Sequence, residues 1–201
     1  MHPAPKRRFQ VFCALATGSA IVLTFDGAAA HTGAEILGGL ASGFQHPLFG
    51  FDHLLAMLAV GIWGAQMGGR AVWSLPVTFP LIMAMGGLAG MLGIDLPSVE
   101  TGIALSLLVF GVVIAFAWRP FEIVALALIA VFAICHGYAH GVELPAAADP
   151  AAYSAGFVMA TGLIHVLGIG IGLVSARTLD GLLSRGLGGA IAVSGIYFLL
   201  L

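Results

Sequence analysis

From residue 45 onward the chain reads as long apolar runs separated by short polar punctuation. Six runs are long enough to cross a bilayer, at about 47–67, 72–93, 99–117, 120–141, 152–174 and 184–201. A hydrocarbon core of about 30 Å takes roughly 20 helical residues. Lipid offers no hydrogen bonds, so each backbone polar group must be satisfied inside its own segment. The runs therefore predict six transmembrane helices. The breaks between them hold Gly68-Gly69-Arg70, Asp95-Leu96-Pro97, Arg119-Pro120, the stretch 144–150 and the stretch from Arg177 to Arg185. Residues 31–45, rich in glycine and carrying Glu35, are too polar to span and are expected as a short segment at the outer surface. Pro76 and Pro80 should kink the second run and free carbonyls that need other partners. The pairs Gly86/Gly90 and Gly168/Gly172 predict close approach of helix backbones.

The start of the chain follows a different pattern. Lys6, Arg7 and Arg8 precede an apolar stretch from Phe9 to Phe25, and Ala28-Ala29-Ala30 supplies a small-residue cleavage site. This is the layout of a secretory signal. Residues 1–30 are expected to be removed, leaving His31 as the mature N-terminus and 31–201 as one six-helix domain. With that N-terminus outside, Arg70, Arg119, Arg177 and Arg185 all fall in cytoplasmic loops. The outer loops then hold Asp95, Glu100, Glu143 and Asp149 without a single Lys or Arg. The asymmetry is that of the positive-inside rule. Both mature termini are placed in the periplasm, and the domain in the bacterial inner membrane.

Composition narrows the function classes. The 201 residues are 60% hydrophobic and 8% charged, with a mean hydropathy of +1.09. Soluble domains run about 45–50% apolar and roughly 25% charged. A soluble enzyme and a disordered tail are excluded, and so is a nucleic-acid partner, because the only lysine is Lys6. No glycine-rich loop ending in Lys-Ser or Lys-Thr is present, so the chain has no nucleotide-driven motor of its own. Cys13 and Cys135 cannot make a disulfide framework.

Ionisable groups inside a bilayer cost about 2.5–3.5 kcal/mol each on insertion scales, so those present are functional candidates. The first span opens with His46-Pro47-Leu48-Phe49-Gly50-Phe51-Asp52-His53. On one continuous helix His46 and His53 would lie within about 20° of each other, although Pro47 and Gly50 equally permit an irregular opening. Asp52 either joins the imidazoles or orients one of them. Near the end of the fourth span, His136, His140 and Glu143 stand at i, i+4 and i+7, on a stripe about 60° wide. Both groups share one membrane depth, at the outer ends of their helices. Imidazole and carboxylate together suit divalent Ni, Co, Zn or Cu better than Mg or Ca.

Other positions are weaker. Glu100 is either a further ligand or a helix-dipole partner at the outer surface. His165, near mid-span, is either a metal relay or a structural hydrogen bonder. His31 would offer an α-amine beside its ring if cleavage frees it. Glu122, Met57, Met83 and Cys135 are read as structural. Besides transport, three readings stay open: an intramembrane zinc hydrolase, a bis-histidine haem protein, and a metal-binding accessory or sensor subunit. The hydrolase reading is weakened by Gly137, which stands where a zincin helix carries glutamate directly after the first histidine.

The two clusters resemble the HupE/UreJ family of bacterial metal permeases, named for hydrogenase and urease gene clusters. The family motif His-x5-Asp-His is matched by His46, Asp52 and His53. The second motif, Phe-His-Gly-x-Ala-His-Gly-x-Glu, is matched by His136, Gly137, Ala139, His140, Gly141 and Glu143, with Cys135 in place of the phenylalanine. The stretch from Gly156 to His165 also looks family-like. The resemblance implies secondary, ATP-independent uptake of nickel, in some members cobalt, for hydrogenase or urease maturation proteins. It implies a metal cargo rather than a prosthetic cofactor, and no enzymatic activity. The functional positions it transfers are His46, Asp52, His53, His136, His140 and Glu143, followed by Glu100 and Phe79.

Overall fold

The computed structural model describes residues 28–146, 148–178 and 180–201, with side chains from residue 38 onward apart from Thr178. Residues 1–27 of the expected signal, and the side chains of Ala28 to Ala30, His31 and Glu35, lie outside this set. The described residues form seven helices and no strand. They are α1 (Ala28–Phe49), α2 (Phe51–Met67), α3 (Ala71–Met91), α4 (Val99–Ala115), α5 (Glu122–Val142), α6 (Pro150–Thr178) and α7 (Leu182–Leu200). Every run expected to span falls on helix. Four helices, α3, α5, α6 and α7, are long and apolar enough to cross a membrane. The pair Gly38–Phe49 and Phe51–Met67 reaches that test only jointly, across an 80° bend, and α4 is a shorter apolar helix of 17 residues.

Two expectations are corrected here. Residues 31–45, expected as a separate short segment, belong to α1, which is broken at Gly38 (φ 75°) and runs on into the first expected span. From there α1 packs on α6, with Gly43 against the Tyr153 carbonyl and Gly156 against the Leu40 carbonyl. Only glycine admits such contacts, because a β-carbon at either position would collide with backbone. The run 47–67 is likewise not one helix. Gly50 is extended (φ −80°, ψ 102°) and divides it, so residues 47–49 belong to α1.

Glycine also sets the remaining packing, as the small-xxx-small pairs predicted. Gly86 and Gly90 of α3 meet the backbone of α5 at Ile134 and Tyr138, while Gly137 and Gly141 of α5 meet α3 at Met83 and Gly87. Gly168 of α6 sits on the Leu58 carbonyl and Gly61 of α2. Gly111 of α4 rests on Gly188 and Ala192 of α7. The tightest glycine contacts thus join the helices in three groups, α1, α2 and α6; α3 and α5; α4 and α7, with a further contact of Gly64 in α2 on the Ala71 carbonyl of α3. Between the groups lies a side-chain core that includes Met57, Trp63, Phe79, Met83, Leu107 and Phe110, all fully buried. Large apolar side chains such as Leu81, Ile123 and Val193 cover the outside, an exposure that a water-facing surface rarely carries and a lipid-facing one requires.

Candidate metal site

Four imidazoles converge where the first two groups meet. The bend at Gly50 turns the end of α1 across the start of α2, so His46 and His53 approach from different helices rather than along one stripe. Their ring centroids are 6.3 Å apart. On α5, His136 and His140 do share one face, one turn apart, and both are buried. His140 lies between the two rings from the Gly50 bend, 4.7 Å from His46 and 4.5 Å from His53. His53 in turn lies 4.7 Å from His136. Glu143, the residue just past the end of α5, accepts a hydrogen bond from His46 Nε2 at 3.0 Å. That bond holds its carboxyl below the usual carboxylate range, against the opposing effect of partial burial.

The nitrogens explain what this crowd can do. Asp52 Oδ1 accepts from the His53 backbone N–H at 2.7 Å and from its Nδ1–H at 2.8 Å. A carboxylate only accepts, so His53 carries a proton on Nδ1, and Nε2 is the nitrogen left without a partner. Ser106 fixes His136 in the same way. Its hydroxyl stands 2.6 Å from the Ile103 carbonyl and 2.9 Å from His136 Nε2; with the hydroxyl proton on Ile103, His136 Nε2–H is the donor and Nδ1 is bare. His53 Nε2, His136 Nδ1 and both nitrogens of His140 are buried without a hydrogen-bond partner. Each such atom costs about 1–3 kcal/mol. An imidazole anchored through one nitrogen and bare at the other is the usual state of a histidine that binds metal. Donor atoms of His46, His140 and Glu143 all lie within 4.8 Å of one another, near enough to share one ion.

Asp52 therefore acts here as an orienting acceptor. Glu100 is not among the grouped donors. Gly102 packs on Cys135, which brings the start of α4 beside the histidine end of α5, and Glu100 remains exposed there. His165 lies deeper, 1% exposed. Its ring is 5.6 Å from that of Phe79, and Phe79 is 5.6 Å from His136, so one phenyl ring separates the cluster from the fifth histidine. His165 Nδ1 donates to the Pro76 carbonyl at 3.1 Å, and its Nε2 has no partner. Two residues of the site were not singled out from sequence. Ser106 is a lone hydroxyl in an apolar run, and its complete burial is its only mark. Tyr153 stands near His46, at 6.1 Å between ring centroids.

The HupE / UreJ protein family matches residues 19–198. The chain belongs to the HupE/UreJ family. It is similar to Protein HupE of Rhizobium leguminosarum bv. viciae, 43% identical over 166 residues that cover 83% of this chain and 86% of the relative. No solved structure matches. In this HupE/UreJ chain both histidine motifs meet at a single point, together with the side chains that set their tautomers.

Proposed function

We propose that the protein is a secondary permease that takes up divalent nickel, and by the same ligands cobalt, from the periplasm across the inner membrane. The observation that carries this reading is the meeting of His46, His53, His136 and His140 with Glu143, where His53, His136 and His140 each keep a buried ring nitrogen without a hydrogen-bond partner. A hydrated ion exchanges water for His46, His140 and Glu143, and Glu100 supplies negative charge at the approach. His53, held by Asp52, and His136, held by Ser106, form the next ligands inward. The ion then passes Phe79 to the bare Nε2 of His165 and leaves on the arginine-bearing side.

In this reading the mature chain starts at His31 after signal removal, crosses the membrane six times and has both termini in the periplasm. The bent α1–α2 pair and the short α4 supply the first and third spans. Two positive charges moving through 100 mV release about 4.6 kcal/mol, enough to drive uptake without ATP. The delivered ion feeds hydrogenase or urease maturation proteins, in keeping with family membership.

The test is radiolabelled nickel uptake by cells expressing the chain, with excess cobalt, zinc or manganese as competitors. Uptake that cobalt suppresses, and that His140→Ala abolishes at equal membrane levels, supports the proposal. A well-inserted protein that binds metal without flux overturns it in favour of an accessory or sensor subunit.

A further inference from the structure

Beside the imidazole cluster lies a cavity of about 70 Å³, walled by Met83 and Gly87 of α3, His140 of α5, and Tyr153 and Phe157 of α6. It opens along the seam between the α3–α5 pair and α6. Two of its lining side chains carry polar atoms that nothing satisfies: both ring nitrogens of His140, and the Tyr153 hydroxyl. Tyr153 is 2% exposed and His140 3% exposed, so bulk water reaches neither. A buried water needs about 10–15 Å³ of such space and two to four polar partners. The cavity therefore has room for a few waters and none for an organic substrate.

Tyr153 has little freedom to turn away. Its backbone carbonyl is pressed against Gly43 of α1, its N–H donates to the Asp149 carbonyl at 2.9 Å, and its ring lies near His46. A phenol buried in this way ordinarily finds a hydrogen-bond partner. The three donors of His46, His140 and Glu143 leave an ion of higher coordination number with positions still held by water.

We propose that Tyr153 is a positioning residue of the metal site, its hydroxyl holding a water that stays on the ion inside this cavity after the protein ligands have replaced the others. The ligand class is thus a partly hydrated divalent ion rather than a bare one. The inference rests on the reading of the imidazole cluster as a metal site. Tyr153 touches the ion only through that water and the ordering of the shell.

The experiment uses the full chain purified in detergent, titrated with nickel alone against a chelating dye, for wild type, Tyr153→Phe, His140→Ala and the double variant. Removing a partner of this kind typically costs 10–100-fold in metal affinity. Tyr153→Phe is expected to bind at least tenfold more weakly, with thermal unfolding of the metal-free protein unchanged. Once His140 is gone, the same change should cost nothing further. Affinity within twofold of wild type overturns the assignment of Tyr153 and leaves the metal site standing. Loss of metal-free stability in parallel with affinity marks a packing role and also overturns it. A wild-type chain that takes up no nickel overturns the metal site, and the Tyr153 assignment with it.

Discussion

His165 donates its Nδ1 hydrogen to the carbonyl of Pro76, 3.1 Å away, and Pro80 is the reason that carbonyl is available. In an unbroken helix the Pro76 carbonyl would accept from the N–H of residue 80, which proline lacks. The second proline thus creates an acceptor inside the membrane, and a histidine of α6 satisfies it. The same bond fixes the imidazole tautomer and leaves Nε2 bare. One contact therefore ties the paired prolines of α3 to the chemistry of His165.

That double role can be separated. Asparagine places an amide N–H about where histidine has Nδ1, and offers nothing at the position of Nε2. His165→Asn should keep the bond to Pro76 and accumulate in the membrane like wild type, yet lower nickel uptake at least tenfold. His165→Ala should lose the bond as well, with a further stability loss of about 1 kcal/mol. Uptake and thermal unfolding measured on both variants check this. Normal uptake by His165→Asn would remove the Nε2 position from the path.

Asp52 and His53 should behave as one unit. If the carboxylate works by orienting the ring, Asp52→Asn weakens nickel binding about 10–100-fold. His53→Ala should do at least as much. The double variant should then be no worse than His53→Ala alone, the signature of two residues sharing one interaction. Fully additive losses, measured by nickel titration of the purified variants, would show instead that Asp52 binds the ion itself.

The glycine contacts make a prediction about folding alone. A β-carbon at Gly137 would collide with the Met83 carbonyl, whereas Gly162 has nothing within 4 Å of that position. Gly137→Val should force α3 and α5 apart and cost several-fold in folded, extractable protein. Gly162→Ala should be tolerated or stabilising by up to about 1 kcal/mol, since alanine suits a helix better than glycine. Size-exclusion profiles and thermal unfolding of the two variants report the contrast.

Ser106 offers a milder test of the tautomer argument. Ser106→Ala removes the acceptor of His136 Nε2–H and frees the ring to place its proton on either nitrogen. Nickel affinity should fall about tenfold while the helix packing is kept. Ser106→Thr, which keeps a hydroxyl, should recover most of the loss if its methyl fits. A wild-type affinity in Ser106→Ala would mean that His136 lies off the path.

The helical layout is largely legible in the sequence. Apolar run length locates the helices, because lipid admits almost no other backbone. The expense of burying imidazole and carboxylate marks His46, Asp52, His53, His136, His140 and Glu143. What sequence could not resolve was long-range or singular. Seven residues between His46 and His53 suit one helix as well as the sharp bend at Gly50, because both arrangements bring the rings together. The packing of α1 depends on Tyr153 and Gly156, more than a hundred positions away. Ser106 and Tyr153 are single polar residues in apolar surroundings, and no local pattern sets them apart from ordinary packing residues. The 2.8 Å hydrogen bond between Asp52 and His53 is a contact that spacing alone leaves open.

The grouping of helices by glycine contact has a mechanical consequence. His46, His53 and Tyr153 ride on the α1, α2 and α6 group, whereas His136, His140 and Glu143 ride on the α3–α5 pair. Each group is held internally by close backbone contact; the α3–α5 pair meets the other block through Gly64 of α2 against the Ala71 carbonyl, and near the histidines only through side chains. An ion shared by His46 and His140 would be a rivet across that joint. Its capture would draw the two blocks together, and any sliding of one block past the other would pull the ligands apart and let the ion go.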